Sequence, residues 1–341
     1  MCNQTDNPMK IMTKTKVWML AILFISFAMV SCNKDEEEPI NEAEVLIEYL
    51  ESADSPLGKY YVNTTMPAIT SATDVKTLMA TNAVYIIDIR SATDFADGHI
   101  EGAHNVAAGD VLSHVEGINT EDYDKVVIVC YTGQTAGWAT SILQLMGYDN
   151  VYSMAFGMCS WNEHFASRWN GATSNMYATQ FTSNATAKGE EGDLPELNTG
   201  FETGQAILES RVATVLSEGF GGGVATISAA EVYGNLENYY IINYWPEAEY
   251  TDPGHIEGAV QYTPKQSIAL AADLKTIPAD KTVVVYCYTG QNSANLTAYL
   301  RVIGYDAKSL LFGTNGMIYN EMTKSKWSTD AIMGYDYVSS N

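Results

Sequence analysis

The sequence predicts an α/β fold in two tandem copies, each built on a parallel sheet that helices cover. Three observations lead to this prediction. The pentapeptide CYTGQ occurs at residues 130–134 and again at residues 287–291. Each copy follows a β-branched run, VVIV or TVVVY, and precedes a stretch with the pattern of a helix. Continuous apolar strands that alternate with helices are typical of parallel sheets buried on both faces.

The duplication extends well beyond the cysteines. DGHIEGAHNV at 97–106 matches PGHIEGAVQY at 253–262, and YIIDIRSATDF upstream of the first matches YIINYWPEAEY upstream of the second. Downstream, NEHFASRW matches NEMTKSKW. The offset between the copies stays at 156 to 158 residues from the histidines to the tryptophans. A nearly constant offset of this length indicates a duplicated domain and not a short-period solenoid.

Composition changes along the chain set the expected boundaries. The predicted segments are a signal peptide at 1–31, an acidic tether at 32–40, a first domain at 41–170, a linker at 171–200 and a second domain at 201–341. Each domain opens with a predicted helix, at 42–52 and at 205–216. The linker is predicted from its Thr, Ser, Asn and Gly content.

The net charge of the chain limits the kinds of partner that we expect. The 341 residues carry a formal net charge of −23. That balance disfavours nucleic acids and anionic lipid surfaces, so we expect no nucleic-acid partner and contact with a membrane only through an N-terminal lipid anchor. The sequence names no protein partner.

The N-terminus has the pattern of an export signal. Three lysines precede the apolar run at 17–30, which is too short to span a membrane and of the right length for a signal peptide. Ser31 before Cys32 resembles the lipobox of bacterial lipoproteins, in which the cysteine is lipidated. The following NKDEEE resembles an acidic export signal of surface lipoproteins. We expect an exported lipoprotein anchored in the outer membrane through Cys32, periplasmic or surface-exposed; the alternative is an ordinary cleaved signal peptide.

The cysteines indicate reactive thiols. The chain has five: Cys2, Cys32, Cys130, Cys159 and Cys287. The first two lie in the targeting region, and the remaining three have neither the number for a disulfide scaffold nor metal-type spacing. We therefore expect no metal and no cofactor. A cysteine between a strand end and a helix start is held rigidly and faces backbone amides that favour the thiolate.

These motifs together resemble the rhodanese (sulfurtransferase) family. The first copy shows the family pattern D-x-R…F-x-x-G-H-I-x-G-A-x-N from Asp88 and Arg90 to Asn105, followed by the C-x-x-G loop at Cys130. The second copy shows GHI-x-GA from Gly254 and the loop at Cys287. The resemblance covers most of the mature chain. It implies two domains, each a five-stranded parallel sheet flanked by helices, and a sulfurtransferase that forms a cysteine persulfide.

The resemblance also implies the site residues. Cys130 and Cys287 are the expected nucleophiles, which take sulfur from thiosulfate or a persulfide and pass it to a thiol or cyanide. Cys159 is a possible resolving thiol, with an inert buried thiol as the alternative. The expected substrate-binding residues are Arg90 and the two loops, Tyr131, Thr132, Gly133, Gln134, Thr135, Ala136, Tyr288, Thr289, Gly290, Gln291, Asn292 and Ser293.

Departures from the family pattern keep other functions open. Many family members place an Arg five residues after the Cys, where this chain has Thr135 and Asn292. The second copy replaces the Asp-x-Arg pair by Asn243 and Trp245. A non-catalytic rhodanese-like binding module and a redox or sulfur sensor that uses Cys130 and Cys159 are therefore the alternatives to a sulfurtransferase.

Overall fold

The computed structural model describes residues 40–340 of the chain. The predicted signal peptide, the lipidation residue Cys32 and all of the acidic tether except Ile40 lie outside the described residues. Within the described range, no helix is both long enough and apolar enough to cross a membrane.

The strands form two sheets of the same topology. In chain order they are β1 (Ile69–Thr70), β2 (Val84–Asp88), β3 (His104–Asn105), β4 (Lys125–Val129), β5 (Val151–Met154), β6 (Phe181–Thr182), β7 (Thr226–Ile227), β8 (Tyr239–Asn243), β9 (His255–Ile256), β10 (Val260–Gln261), β11 (Thr282–Tyr286) and β12 (Ala307–Leu310). The first sheet has the order β1-β5-β4-β2-β3, and the second has β7-β12-β11-β8-β10. All pairings in both sheets are parallel, which confirms the predicted fold class.

Helices cover both sheets. They are α1 (Glu42–Glu51), α2 (Tyr61–Thr64), α3 (Ala72–Met79), α4 (Ala92–Asp97), α5 (Val111–Glu116), α6 (Gln134–Leu145), α7 (Met158–Trp161), α8 (Ser167–Asn170), α9 (Gly204–Glu218), α10 (Ala229–Gly234), α11 (Glu247–Thr251) and α12 (Gln291–Val302). The helices predicted at 42–52 and 205–216 are α1 and α9. Asn41 begins α1 by accepting a hydrogen bond from the backbone N–H of Glu44 (3.1 Å).

The central strands place the two cysteines. Val126 to Val129 of β4 and Val283 to Tyr286 of β11 are buried, as expected for strands covered on both faces. Cys130 and Cys287 each follow the last residue of these strands. Both therefore lie at the carboxyl edge of a parallel sheet, where this class of fold binds ligands.

The two repeats meet through the helices that follow the cysteines. The Ser141 hydroxyl of α6 donates to the carbonyl of Asn295 in α12 (2.9 Å). A Cβ on Gly137 would lie 2.8 Å from the Asn295 amide nitrogen and 3.1 Å from the Gln291 carbonyl. The missing side chain thus lets the helices approach closely. One apolar core runs through this contact and contains residues of both repeats, such as Ile142 and Leu296.

The repeats also exchange covering segments. After the first repeat the chain crosses to the second, where β6 pairs antiparallel with β9 through Thr182 and His255. After the second repeat the chain returns to the first, where Val338 forms an antiparallel bridge with His99. We call residues 171–187 the linker strap and residues 328–340 the tail strap. Each strap covers the corresponding surface of the other repeat.

The segment 171–200, which its composition predicts as a linker, is therefore also part of the folded surface. Tyr177 packs into the core of the second repeat, and Leu194 and Leu197 are buried in the shared core. The backbone N–H groups of Thr199 and Gly200 donate to the Glu42 carboxylate (2.6 and 2.8 Å). Composition alone missed these anchors because a few buried side chains fix a stretch that is polar on average.

Candidate active site

The first cysteine loop surrounds its sulfur with backbone donors. Gly133 has a left-handed conformation (φ 85°), which ends the turn and starts α6. The N–H groups of Gly133 and Ala136 donate to Cys130 Sγ at 3.2 and 3.3 Å. The side chain of Cys130 is 5% exposed. Two backbone donors thus face the sulfur at a helix N-terminus, where the helix dipole favours negative charge.

The second loop has the same backbone and a more enclosed sulfur. Gly290 is also left-handed (φ 80°), and Ser293 N–H donates to Cys287 Sγ at 3.4 Å. The Cys287 thiol donates to Ser293 Oγ (3.6 Å), which is itself hydrogen-bonded to Ser309 Oγ. Cys287 is 1% exposed. One backbone donor and a hydroxyl acceptor thus surround this sulfur, where the first repeat has two backbone donors.

Burial and backbone donors act on the Cys130 thiol in opposite directions. Burial raises its pKa, the loop amides of Ala136, Thr132 and Gly133 lower it, and the negative charge of Asp88 raises it. The net result is a pKa above the ordinary value, so the resting residue is a neutral thiol at pH 7.

A glycine turn in the same repeat supports each loop. Gly157 follows β5 and has φ 59°, and a Cβ there would overlap the Cys130 carbonyl. The next two backbone N–H groups, of Met158 and Cys159, donate to the carbonyls of Cys130 (2.8 Å) and Tyr131 (3.1 Å). In the second repeat Thr314 and Asn315 make the equivalent bonds to the carbonyls of Cys287 and Tyr288.

Arg90 lies beneath the first loop and forms a buried ion pair with Asp88. Its Nη2 is 2.6 Å from Asp88 Oδ2 and also donates to the Gly98 carbonyl (2.7 Å). Both side chains of the ion pair are 1% exposed. Among residues 40–340, Arg90 Nη1 finds no hydrogen-bond partner, and the guanidinium carbon is 5.0 Å from the centre of the Tyr131 ring. Arg90 therefore organises the loop while one of its nitrogens stays unpaired.

A second cation at this site is absent from the sequence-based prediction. Arg168 in α8 is exposed and places its guanidinium carbon 3.7 Å from the centre of the Tyr131 ring. The Tyr131 hydroxyl donates to Asp94 (2.9 Å). Arg168 is distant in sequence from the loop, and its only signal is that a basic residue precedes the tryptophan in both NEHFASRW and NEMTKSKW.

The second repeat replaces this charged arrangement by a largely neutral one. Asn243 takes the place of Asp88 and donates to the Tyr286 hydroxyl (2.8 Å). Trp245 takes the place of Arg90 and packs 4.8 Å from Tyr288 and 5.5 Å from Tyr286, centre to centre. Lys324 pairs with Glu249 and lies over the Tyr288 ring. Lys324 is thus a cation at the surface and does not lie beneath the sulfur.

Cys159 is adjacent to the first loop but is poorly suited to react. It lies in α7, is fully buried, and its thiol donates to the Phe165 carbonyl (3.0 Å). Burial raises its pKa to about 12. This arrangement fits the inert buried thiol and gives the resolving role no support.

The remaining predicted binding residues lie in the loops at different depths. Gly133, Gln134, Ala136, Gly290, Gln291 and Ser293 are buried. Partial exposure is shared by Tyr131, Thr132, Thr135, Tyr288, Thr289 and Asn292. Across residues 40–340, no three His, Cys, Asp or Glu side chains are grouped to hold a metal ion.

Two parallel sheets with a cysteine loop at each carboxyl edge define a tandem thiol protein of the α/β class. A model of the rhodanese-like domain matches residues 71–164 and 228–319, together more than half of the chain. The chain belongs to the rhodanese-like family, with one domain in each repeat.

Curated relatives agree with this assignment. The thiosulfate sulfurtransferase GlpE of Shewanella oneidensis is 39% identical over 82 residues, 24% of this chain and 78% of that protein. The GlpE of Pseudoalteromonas translucida is 29% identical over 85 residues, 25% of this chain and 79% of that protein. Family membership thus brings sulfurtransferase-like function at the level of the family.

Solved structures give a weaker likeness. A Pseudomonas aeruginosa thiosulfate sulfurtransferase is 14% identical with a TM-score of 0.29, covering 84% of this chain and 48% of its own. A rhodanese-related protein from Thermoplasma volcanium is 20% identical with a TM-score of 0.26, covering 28% of this chain and 92% of its own. At these TM-scores neither adds to the assignment.

Proposed function

We propose that this protein is a sulfurtransferase that moves a sulfane sulfur through a persulfide on Cys130. The observation that carries the proposal is the position of Cys130 Sγ, 3.2 and 3.3 Å from two loop N–H groups at the start of α6. Donors fixed in this way offset part of the cost that burial imposes on the Cys130 thiolate, which is the nucleophile of the first step and the leaving group of the second, and they need no reorganisation when charge develops.

The reaction has two balanced steps. The Cys130 thiolate attacks the outer sulfur of the donor, a new S–S bond forms, and the S–S bond of the donor breaks. The leaving group takes the electron pair, as sulfite from thiosulfate or as a thiolate from a persulfide. An acceptor thiolate or cyanide then attacks the outer sulfur of the persulfide and releases the Cys130 thiolate.

Two cations near the first loop can attract an anionic donor, although each has an acid beside it, Asp88 for Arg90 and Asp94 for Arg168. Arg90 offers one unpaired nitrogen beneath Tyr131, and Arg168 offers an exposed guanidinium above it. These two cations supply the charge that the loop lacks at Thr135. Thiosulfate or a persulfide is accordingly the proposed donor, and a thiol or cyanide the proposed acceptor.

The second repeat favours a different function. Cys287 is 1% exposed, and the neutral side chains of Asn243 and Trp245 lie where the first repeat has its ion pair. A weakly reactive or non-catalytic domain that recognises a partner or a sulfur species fits this site better than an equal second catalyst does.

Intact-mass analysis of the chain from Asn33 onward tests both proposals. Thiosulfate and glutathione persulfide are offered in turn to the wild type, Cys130→Ser, Cys287→Ser and the double variant. We expect a gain of one sulfur that Cys130→Ser abolishes and Cys287→Ser retains. Loading that depends on Cys287 alone would reverse the assignment, and no loading of folded protein would favour the binding module.

We also propose that the protein is exported and anchored in the outer membrane by lipid on Cys32. The support is the sequence alone: the apolar run, Ser31 before Cys32, and the acidic residues that follow. Metabolic labelling with a fatty acid should mark the wild type and leave Cys32→Ala unlabelled. Equal labelling of both proteins would contradict the anchor.

A further inference from the structure

The glutamine that ends each CYTGQ motif reaches the other repeat. Gln134 Oε1 accepts a hydrogen bond from the backbone N–H of Phe312 (2.8 Å) in the second repeat. Gln291 Oε1 accepts the equivalent bond from Phe156 N–H (3.0 Å) in the first repeat. Both glutamine side chains are 2% exposed. Gln134 and Gln291, the first residues of α6 and α12, are thus each buried against the other repeat.

These bonds end at the turns that support the cysteines. Phe156 precedes Gly157, whose turn directs Met158 N–H to the Cys130 carbonyl. Phe312 precedes Gly313, whose turn directs Thr314 N–H to the Cys287 carbonyl (3.0 Å). Both phenylalanines have positive φ, 57° and 61°, a backbone conformation that side chains other than Gly rarely adopt. An outside acceptor on the N–H of such a residue helps to hold the turn in place.

The fit around each glutamine is close. A Cβ on Gly133 would overlap the Gln291 side-chain amide, and a Cβ on Gly290 would overlap that of Gln134. The four aromatic rings beside the turns, Phe156, Phe312, Trp169 and Trp327, pack into one cluster with centre-to-centre distances of 5.0 to 5.7 Å. The two loops, two turns and two glutamines therefore form a closed ring of contacts across the repeats.

We propose that Gln134 and Gln291 are positioning residues that act across the repeats, each holding the cysteine loop of the other repeat. A change in one loop then shifts the turn and the thiol of the opposite repeat, and the coupling is reciprocal, as any linkage between two sites must be. This inference rests on the proposed function only in treating the cysteine loops as the reactive elements.

Native-state alkylation tests the proposal without a sulfur donor. Wild type, Gln291→Leu and Gln134→Leu are treated with iodoacetamide, and the modification of Cys130 and Cys287 is followed by peptide mass spectrometry. A buried thiol reacts through local opening of its loop, so losing the hydrogen bond to the other repeat should speed it about fivefold or more, since leucine also removes the bonds that the amide nitrogen donates. We expect Gln291→Leu to speed Cys130 and Gln134→Leu to speed Cys287.

Two further variants separate positioning from general damage. Gln291→Asn retains an amide but is one methylene shorter, and should speed Cys130 with less disturbance of the core. Gln144→Leu removes an equally buried glutamine of α6, which bonds the Val151 carbonyl (2.8 Å), and should leave both cysteines within about twofold of the wild type.

The crossed pattern decides the outcome. If Gln291→Leu and Gln291→Asn alter Cys287 while the rate at Cys130 stays at the wild-type value, the glutamines act locally and the proposal is wrong. It is equally wrong if neither Gln291 variant changes the rate at Cys130. Absence of sulfur loading in the experiment above would overturn the sulfurtransferase and leave this result standing.

Discussion

The two repeats have the same cysteine loop and differ in what lies beneath it. Gly133 and Gly290 have nearly the same left-handed conformation, at φ 85° and φ 80°. Under the first loop lies the buried ion pair of Asp88 and Arg90, and under the second lie neutral Asn243 and Trp245. Both copies have thus kept the conformation of the cysteine loop, while only the first has a buried ion pair beneath it.

The difference has an electrostatic consequence. A buried ion pair costs desolvation energy that its own attraction only partly offsets, so it is weak as a source of stability. In the first repeat the ion pair nevertheless places a cation, with one unpaired nitrogen, near the loop. In the second repeat a tryptophan fills the same space with apolar contact. On the proposed function, the first site keeps a cation for an anionic donor, and the second has apolar packing in its place.

The largest expected effect comes from breaking the ion pair. Arg90→Met leaves the Asp88 carboxylate buried without its partner, which should lower the free energy of unfolding by about 3 to 5 kcal/mol. Urea denaturation measures the change. Arg168→Met removes the exposed cation on the same Tyr131 ring and should change the free energy of unfolding by less than about 1 kcal/mol.

A chimaeric variant sharpens that comparison. Asp88→Asn, Arg90→Trp and Val129→Tyr together install the residues of the second repeat in the first. Because the neutral set leaves no unpaired buried charge, this variant should be more stable than Arg90→Met. If the triple variant and Arg90→Met unfold at the same urea concentration, loss of packing and not the unpaired charge explains the loss of stability.

Sequence alone was sufficient for the parts of this comparison that depend on local pattern. The apolar runs at β4 and β11, the cysteine at each strand end and the duplication predict the two parallel sheets. The same local reasoning missed Arg168, the exchanged straps and the crossed glutamine bonds. Those features join residues far apart in the chain, and Gln134 has the same immediate sequence whether it faces its own loop or the other repeat.

The straps provide a second comparison, with a smaller effect. Gly254 has φ +98°, and a Cβ there would lie 2.7 Å from the Thr182 carbonyl of the linker strap. Gly98 is extended, and its added Cβ would meet ring atoms of Phe165 and Tyr337 at 2.8 Å. Gly254→Ala should cost about 2 to 4 kcal/mol, because it adds left-handed strain to a clash with the backbone. Gly98→Ala should cost less, about 1 to 2 kcal/mol, because it meets only side-chain atoms, those of buried Phe165 and partly exposed Tyr337.

Hydrogen exchange locates the damage as well as measuring it. Gly254→Ala should speed exchange in the linker strap, and Gly98→Ala in the tail strap near Val338, which bridges His99. If the two variants have equal free energies of unfolding, the left-handed conformation at Gly254 adds nothing to the cost of the substitution. Exchange that rises in the wrong strap would contradict the crossed arrangement.

The pH dependence of Cys130 should follow from its burial. Because burial raises the pKa of the folded thiol, the neutral form stabilises the fold below the ordinary pKa, and this contribution is lost as pH rises toward the folded value. Below its pKa the thiolate fraction grows about tenfold per pH unit. Iodoacetamide modification of Cys130 in Cys287→Ser should thus keep rising through pH 9.

Cys159 is the internal control for that profile. Its pKa is raised to about 12, so it should react more slowly than Cys130 at every pH up to 9. A plateau in the Cys130 rate below pH 8 would mean that the loop amides outweigh burial. The conclusion that Cys130 rests as a neutral thiol would then be wrong.

The smallest expected effect concerns the exposed cation of the first site. Arg168→Met should raise the thiosulfate concentration needed for half-maximal loading of Cys130 about two- to fivefold at low salt, because an exposed charge attracts an anion only weakly and is screened. The matched control is Lys324→Met, which removes the cation over Tyr288 in the second repeat and should leave Cys130 loading unchanged. The shift should shrink as ionic strength rises, because salt screens a surface charge far more than it screens buried Arg90. An unchanged half-maximal concentration at low salt would assign donor attraction to Arg90 alone, and the contrast between the repeats would then depend on one buried residue.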